Sequence, residues 1–140
     1  MGEVTIRSGR DGDELLLPAF WAVAGENAGR PADRPEAVRA LLDRDPEAVL
    51  VAEADGQVVG TVIAGWDGWR ANLYRLAVHP DQRGRGIARR LLGLAEERVA
   101  GFGTGRVLAM VLDDNHRGQQ LWRGAGYQPQ TDWSRWVKRL

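Results

Sequence analysis

The sequence predicts an α/β fold of the α+β kind, with helices on both faces of a mixed, mostly antiparallel sheet of about seven strands. One observation is a pair of apolar runs around Asp55-Gly56, which reads as a hairpin. Another is a glycine loop at 83–88 that joins a strand-like run to an amphipathic helix. A third is the apolar run at 107–112, whose composition is typical of a central strand covered on both faces. The predicted order is β-α-α-β-β-β-α-β-α-β-β, in a single domain of residues 1–140.

The first third of the chain is predicted to hold one strand and two helices. Asp13 is suited to cap the first helix, and Pro18 is expected to shorten or kink it. Pro35 suits the first turn of the second helix, which Asp45-Pro46 should end. In order, the predicted elements are a strand at 4–7, a helix from 13, a loop at 29–33 and a helix from 35.

The middle of the chain gives the clearest local signal. Asp55-Gly56 is a favoured pair for a two-residue turn, and it separates the apolar runs 48–54 and 57–64. A second connection at 66–70 leads into a strand at 73–78. Three consecutive antiparallel strands are therefore expected.

The last third is predicted to alternate between helices and strands. Apolar residues recur at helical spacing after the glycine loop, and 101–105 should end that helix. Asp114 or Asn115 is placed to cap a short helix after the strand at 107–112. The tail from Tyr127, with Trp133 and Trp136, is expected to supply the last strands.

Composition excludes several classes of function. Lys and Arg total 19, as do Asp and Glu, and this balance argues against nucleic-acid binding. The absence of cysteine excludes disulfides, thiolate metal sites and a cysteine nucleophile. His79 and His116 are the only histidines and lie far apart in sequence, so no metal site is predicted. The apolar runs are short and the N-terminus has no apolar signal, so we expect a cytoplasmic protein without membrane contact.

The glycine loop is suited to bind a phosphate. Gly84 and Gly86 let successive N–H groups point into one concavity at a helix N-terminus. A dinucleotide fingerprint would need a third glycine where Arg89 stands, and a P-loop would need a Gly-Lys-Ser/Thr ending that the sequence lacks. The alternative is a helix start with glycines and surface arginines.

Arg83-x-x-Gly86-x-Ala88, after the strand exit Val78-x-Pro80, resembles the acetyl-CoA pyrophosphate loop of the GCN5-related N-acetyltransferase (GNAT) family. The predicted order of elements is also that of this family, and the 115–127 block is a second match. Residues 65–70 resemble a loop in a small bacterial subgroup related to the ribosomal-protein alanine acetyltransferases.

The resemblance implies transfer of acetyl from acetyl-CoA to a primary amine, on a small molecule or a protein N-terminus. It also implies a sheet splayed between the fourth and fifth strands, with the pantetheine arm in the gap. The Leu76 amide would then stabilise the oxyanion. The cofactor-binding residues carried over from the family are Leu76, Ala77, Val78, Arg83, Gly84, Arg85, Gly86, Ile87, Ala88, Arg89 and Asn115. Each of these assignments has a structural alternative. The backbone of 76–78 would pair within an ordinary sheet, the arginines would lie on a solvated helix face (the interpretation preferred for Arg90), and Asn115 would be an N-cap.

The usual acid and base of the family are both missing. Trp122 stands where many members have a tyrosine, and 71–75 contains no carboxylate. The remaining catalytic candidates are Asp67, for which a turn role is favoured, and Tyr74, expected on the same face as Leu76 by strand alternation and favoured as core or cleft wall.

Two aromatic residues and the missing cysteine complete the predicted chemistry. Trp66 and Trp69 would line an acceptor pocket or cover the sheet. Without cysteine, direct transfer in a ternary complex is expected, since no acetyl-cysteine can form.

Two other functions remain open at this point. One is a non-catalytic acyl-CoA-binding or regulatory module on the same fold, and the other is a nucleotide-phosphate binder. The partners expected are acetyl-CoA as co-substrate and an amine acceptor, with no nucleic acid, no membrane and no metal. The aromatic C-terminal region suggests pairing in a homodimer.

Overall fold

The computed structural model describes residues 2–26 and 31–140, so Gly29 and Arg30 of the predicted loop lie outside the described residues. The chain divides into two compact units, one up to Met110 and one from Val111 to Leu140. The single domain predicted for 1–140 stays a prediction. Among the described residues, no helix combines the length and the apolar character needed to cross a membrane.

The first unit is a five-stranded sheet in the order β1-β2-β3-β4-β5, with three helices. Strands β1 to β4 pair antiparallel, and β5 runs parallel to β4. The fold class and the mixed, mostly antiparallel sheet are therefore confirmed. The elements are β1 Thr5–Ser8, α1 Asp13–Ala24, α2 Pro35–Arg44, β2 Val49–Ala54, β3 Gln57–Trp66, β4 Ala71–Val78, α3 Ile87–Ala100 and β5 Leu108–Ala109. The second unit contains α4, His116–Gly124.

The hairpin between β2 and β3 forms as predicted. Asp55 and Gly56 have φ angles of 54° and 75°, both left-handed, as a type I′ turn requires. This turn matches the twist of the flanking strands and fixes their register.

Helix α1 runs unbroken through Pro18, so the expected shortening is wrong. Leu17 and Trp21 are almost fully buried on either side of the proline, and their packing holds the helix together. Gly12 rather than Asp13 is the N-cap residue. The buried Asp13 carboxylate instead accepts two hydrogen bonds from the Arg7 guanidinium, each 2.9 Å long, and one from the Arg10 amide.

Helices cover both faces of the sheet. Thr61 of β3 bonds to Trp21 of α1, whereas a Cβ at the adjacent Gly60 would lie only 3.0 Å from Ile87 of α3. Neighbouring residues of a strand face opposite sides, so α1 and α3 lie on opposite faces. Glycine at position 60 permits the close approach of α3. The core on the α1 and α2 side consists of Leu17, Phe20, Trp21, Val38, Leu42, Val49, Val51 and Ala77.

The strands predicted for the last third of the chain are mostly wrong. Only Leu108–Ala109 of the 107–112 run forms a strand, at the sheet edge and half-buried rather than central. Residues 127–140 contain no strand, so the described sheet has five strands instead of about seven. An apolar run forms a longer strand only where a neighbour pairs with it, and here β4 alone pairs with β5, over two residues.

Candidate active site

Strand β4 carries a bulge at Arg75 and Leu76. Thr61 pairs with Ala77 and Ile63 pairs with Tyr74, so two residues of β4 stand opposite one residue of β3. Arg75 has a φ of 52°, a left-handed conformation unusual for a residue with a side chain. The bulge interrupts strand alternation, which removes the basis for placing Tyr74 and Leu76 on one face.

A buried chain of hydrogen bonds holds the bulge from the α1 side. The Trp21 indole N–H donates to the Thr61 hydroxyl oxygen over 2.9 Å, and that hydroxyl donates to the Arg75 carbonyl over 2.8 Å. Thr61 is completely buried and Trp21 nearly so. The conformation of the bulge is therefore fixed by side chains from two other elements.

The Arg75 side chain anchors the same bulge to the segment between α1 and α2. Its guanidinium pairs with Asp33 and donates to the Glu26 carbonyl over 3.1 Å. Its Cζ also lies 5.4 Å from the centre of a Trp21 ring, within the range of a cation–π contact. Arg75 thus links β4 to residues on both sides of the undescribed 27–30 stretch.

The β4–β5 ladder ends before the bulge. Its pairs are Asn72 with Leu108 and Leu73 with Ala109, and no further pair is formed in the described sheet. Residues 76–78 of β4 lie past the last pair. The described ladder between the fourth and fifth strands thus covers only Asn72 and Leu73 of β4, and the splay predicted beyond it stays a prediction.

The glycine loop follows β4 as predicted and opens α3. Gly84 and Gly86 have φ angles of 84° and 77°, and Gly86 is the N-cap of α3. A Cβ built at either glycine would have no atom within 4 Å, so the loop borders open space. The first turn of α3 contains no acidic residue. The positive end of the helix dipole is uncompensated, which fits the binding of a phosphate group.

The arginines around the loop differ in whether they already form hydrogen bonds. The Arg85 guanidinium donates to the Gln82 side chain over 2.7 Å and to the Gly2 carbonyl over 3.1 Å. Arg90 is exposed, as its assignment to a solvated face predicts, and it also donates to the Val4 carbonyl over 3.1 Å. Within the described residues, Arg83 and Arg89 are exposed and have no hydrogen-bond or ion-pair partner. These two are the arginines available to a phosphate.

Tyr74 lines a groove on the α2 side of the sheet. The groove has a volume of about 140 Å³, and the Tyr74 side chain is half-exposed in it. Its wall is built by Leu41, Arg44, Asp45, Ala48, Gly65, Trp66, Asp67, Arg70, Asn72 and Tyr74. The groove therefore includes Trp66, Asp67 and Arg70 of the β3–β4 connection in its lining.

Asp67 occupies a turn, as the favoured interpretation held. Its Oδ1 accepts the amides of Arg70, over 2.6 Å, and Trp69, over 2.7 Å. These hydrogen bonds, the one from Arg70 foremost, lower the pKa of the Asp67 carboxyl. A carboxylate with a lowered pKa and one oxygen already occupied is a poor base for an amine.

The two tryptophans of this connection behave differently. Trp66 stacks on Phe102, with ring centres 5.3 Å apart and planes 3° from parallel. Trp69 is largely exposed, and the Arg70 guanidinium lies 5.3 Å from its ring centre. Trp66 therefore both packs against the end of α3 and lines the groove.

In the second unit, Asn115 caps α4. Its side-chain oxygen accepts the Gly118 amide over 3.0 Å, which confirms the capping role. Contact between Asn115 and a cofactor stays a prediction. Trp122 of α4 makes an edge contact with the Tyr127 ring.

The sequence interpretation missed Thr61, Trp21 and Arg75. A signal existed for Thr61, since it is the one hydroxyl residue in the apolar run 58–64. Arg75 breaks the apolar strand in a similar way. Neither observation names the bonding partner, which only the register of β3 against β4 supplies.

The described residues combine a mixed sheet covered by helices, a bulged fourth strand and a glycine-rich helix start directly after that strand. Residues 16–127 match the sequence profile described as the acetyltransferase (GNAT) family, and the chain belongs to that family. It is an acetyltransferase with acetyl-CoA as its co-substrate.

Relatives and solved structures agree with this assignment. An acetyltransferase of Yersinia pestis (strain Pestoides F) is 39% identical over 129 residues, which cover 91% of this chain and 89% of the relative. The aminoglycoside N-acetyltransferase AAC(6')-Iy in complex with CoA superposes with a TM-score of 0.78 at 20% identity, covering 100% and 97% of the two chains. A ribosomal-protein-alanine N-acetyltransferase from Brucella melitensis biovar Abortus 2308 gives 0.64 at 24% identity, covering 100% and 99%. The last two likenesses show the fold.

Proposed function

We propose that this acetyltransferase transfers the acetyl group of acetyl-CoA to a primary amine by direct attack within a ternary complex. The observation that carries the proposal is the end of the β4–β5 ladder after Leu73, immediately before the bulge and the glycine loop. An extended ligand with amide groups in the middle and a pyrophosphate at one end matches that succession of features.

The pyrophosphate is proposed to bind the amides of 83–88 at the start of α3. The two glycines hold the loop in a left-handed conformation beside open space, and Arg83 and Arg89 supply charge without giving up another partner in the described chain. The amides of the pantetheine arm would pair with the backbone of 76–78, as a further strand would.

The Leu76 amide is proposed to donate to the thioester carbonyl oxygen. The amine nitrogen attacks the carbonyl carbon, the C–N bond forms, and the C–S bond breaks as the thiolate leaves. A single donor to the developing oxyanion typically contributes about 2.7–4 kcal/mol. A proton passes from the amine nitrogen to water, and the thiolate takes its proton from water, because the indole of Trp122 is not a useful acid near neutral pH.

The acceptor is proposed to reach the thioester from the groove beside Tyr74. Arg44 and Arg70 line this groove together with Asp45 and Asp67. The Asp45 carboxylate already pairs with Arg98, and Asp67 is held by turn amides. With its carboxylates engaged and two arginines present, the groove favours a single amine, such as a protein N-terminus or a small monoamine, over a polycation.

The test is thiol release from acetyl-CoA across monoamines, polyamines, aminoglycosides and peptides with N-terminal alanine. Turnover with at least one amine is expected, with monoamines or peptides ahead of polycations at equal concentration. Calorimetry with acetyl-CoA, CoA and ATP runs in parallel. CoA binding without any turnover would support the non-catalytic module, and ATP binding without CoA binding would support a nucleotide binder.

A further inference from the structure

We infer that Thr61 is a positioning residue that orients and polarises the Leu76 amide through the peptide group between Arg75 and Leu76. The inference rests on the proposed function, in which that amide stabilises the oxyanion. Thr61 itself lies in the core of β3 and is fully buried, so it acts on the reaction only through the backbone.

The direction of the Leu76 N–H follows from the bond at the other end of its peptide group. The described chain has no cis peptide bond, so the Arg75 carbonyl and the Leu76 N–H point to opposite sides of one plane. The carbonyl oxygen is held by Thr61 of β3 over 2.8 Å. The Leu76 N–H therefore points away from the Thr61 hydroxyl, and the proposed function places the thioester on that side.

Trp21 determines which group donates and which accepts in this chain of hydrogen bonds. An indole N–H can only donate, so Trp21 uses a lone pair of the Thr61 hydroxyl, over 2.9 Å. The one hydroxyl proton of Thr61 is then directed to the Arg75 carbonyl. Hydrogen bonds arranged in series polarise one another, and a carbonyl that accepts such a bond makes the N–H of its own peptide group a stronger donor.

The bulge needs such a restraint because its backbone is strained. Arg75 has a φ of 52°, a conformation that costs a non-glycine residue energy and persists only when the surroundings hold it. The Arg75 guanidinium secures the side chain on Asp33 and the Glu26 carbonyl. The Thr61 hydroxyl adds a restraint on the following peptide plane, because it holds the Arg75 carbonyl.

The experiment compares Thr61→Val with Thr61→Ser. Valine keeps the shape of threonine and removes the hydroxyl, whereas serine keeps the hydroxyl. We expect Thr61→Val to lower kcat about tenfold or more while KM for acetyl-CoA changes less than about twofold, since only the oxyanion contact is weakened. Thr61→Ser is expected to recover most of the lost kcat.

A spectroscopic readout separates positioning from a general structural role. The carbonyl stretch of bound, carbonyl-labelled acetyl-CoA, measured by difference infrared spectroscopy, should lie below its value in water in the wild type and in Thr61→Ser. In Thr61→Val it should return toward the value in water. If Thr61→Val keeps both the wild-type kcat and the wild-type stretch, the inference is wrong, although the proposed function would stand.

Two further results keep the inference testable. If the wild type binds acetyl-CoA and acetylates no amine, the proposed function fails, and the infrared shift alone decides whether Thr61 polarises the carbonyl. If Thr61→Val does not fold, Trp21→Phe removes the first donor of the chain and should lower kcat about threefold with a smaller shift of the stretch in the same direction. A folded Trp21→Phe with unchanged kcat and stretch would overturn the inference.

Discussion

The indole of Trp122 lies edge-on against the phenol ring of Tyr127, with ring centres 4.8 Å apart and planes at 74°. The Tyr127 amide also donates to the Trp122 carbonyl over 2.9 Å, which fixes the turn after α4. An aromatic pair of this geometry contributes about 0.5–1.5 kcal/mol beyond area burial. Packing is therefore a sufficient reason for the tryptophan.

The first prediction concerns the leaving group. Trp122→Phe keeps an aromatic ring and removes the indole N–H. We expect kcat to change less than about threefold, with the shape of the pH–rate profile retained, because the indole supplies no proton. Steady-state kinetics across pH 6–9 would check this. A loss of about tenfold or more would show that the N–H contacts the reacting groups.

The second prediction uses the left-handed backbone at Arg75. Arg75→Gly and Arg75→Ala both remove the guanidinium from Asp33, but only glycine adopts a φ of 52° without cost. We expect Arg75→Ala to be less stable than Arg75→Gly by about 1 kcal/mol, the reverse of their usual order in a strand. Urea denaturation measures the difference. Equal stabilities would mean that the bulge relaxes once the arginine is gone.

The third prediction concerns the buried carboxylate of Asp13. Burial acts to raise its pKa, but the hydrogen bonds from Arg7 and the Arg10 amide and the charges of both arginines together outweigh burial, so the pKa of Asp13 lies below its ordinary value. A lowered pKa contributes stability above the unfolded value, about 3.9, and the contribution is lost as pH falls through the folded value. Asp13→Asn should therefore lose about 3 kcal/mol at pH 7, because it removes one partner of a buried ion pair.

The acid range provides the check on Asp13. The stability gap between wild type and Asp13→Asn should narrow as the pH falls below about 4. Asp11→Asn is the matched control, because the exposed Asp11 carboxylate pairs with Arg39 at the surface and its loss should cost less than about 0.5 kcal/mol. A gap independent of pH would contradict the electrostatic account.

The fourth prediction tests the phosphate loop with two variants of equal strain. Gly86→Glu and Gly86→Gln both place a side chain at a φ of 77°, and only the former adds a negative charge. We expect Gly86→Gln to bind CoA at least about tenfold more tightly than Gly86→Glu, with a difference that shrinks in high salt. Calorimetry at two ionic strengths measures both. Equal affinities would show that the pyrophosphate does not bind at this helix start.

Local backbone conformation could be predicted from the sequence, whereas the pairing of strands could not. The Asp55-Gly56 turn and the helix start at Gly86 depend on the φ preferences of a few adjacent residues, so the sequence alone indicates them. The bulge at Arg75 depends on which β3 residue stands opposite, and no local pattern encodes that register. The strand predicted at 107–112 was too long for a related reason. An apolar run forms a strand only over the residues that a neighbouring strand pairs with, and β4 pairs with two of them.

The open side of β4 has a consequence for the behaviour of the protein in concentrated solution. A strand edge with unpaired backbone groups is a template for edge-to-edge pairing with another chain. The ladder with β5 stops at Leu73, and on the proposed function the pantetheine arm pairs with the backbone of the residues that follow. Because the bound arm would then cover this edge, self-association is expected to rise as the co-substrate is depleted.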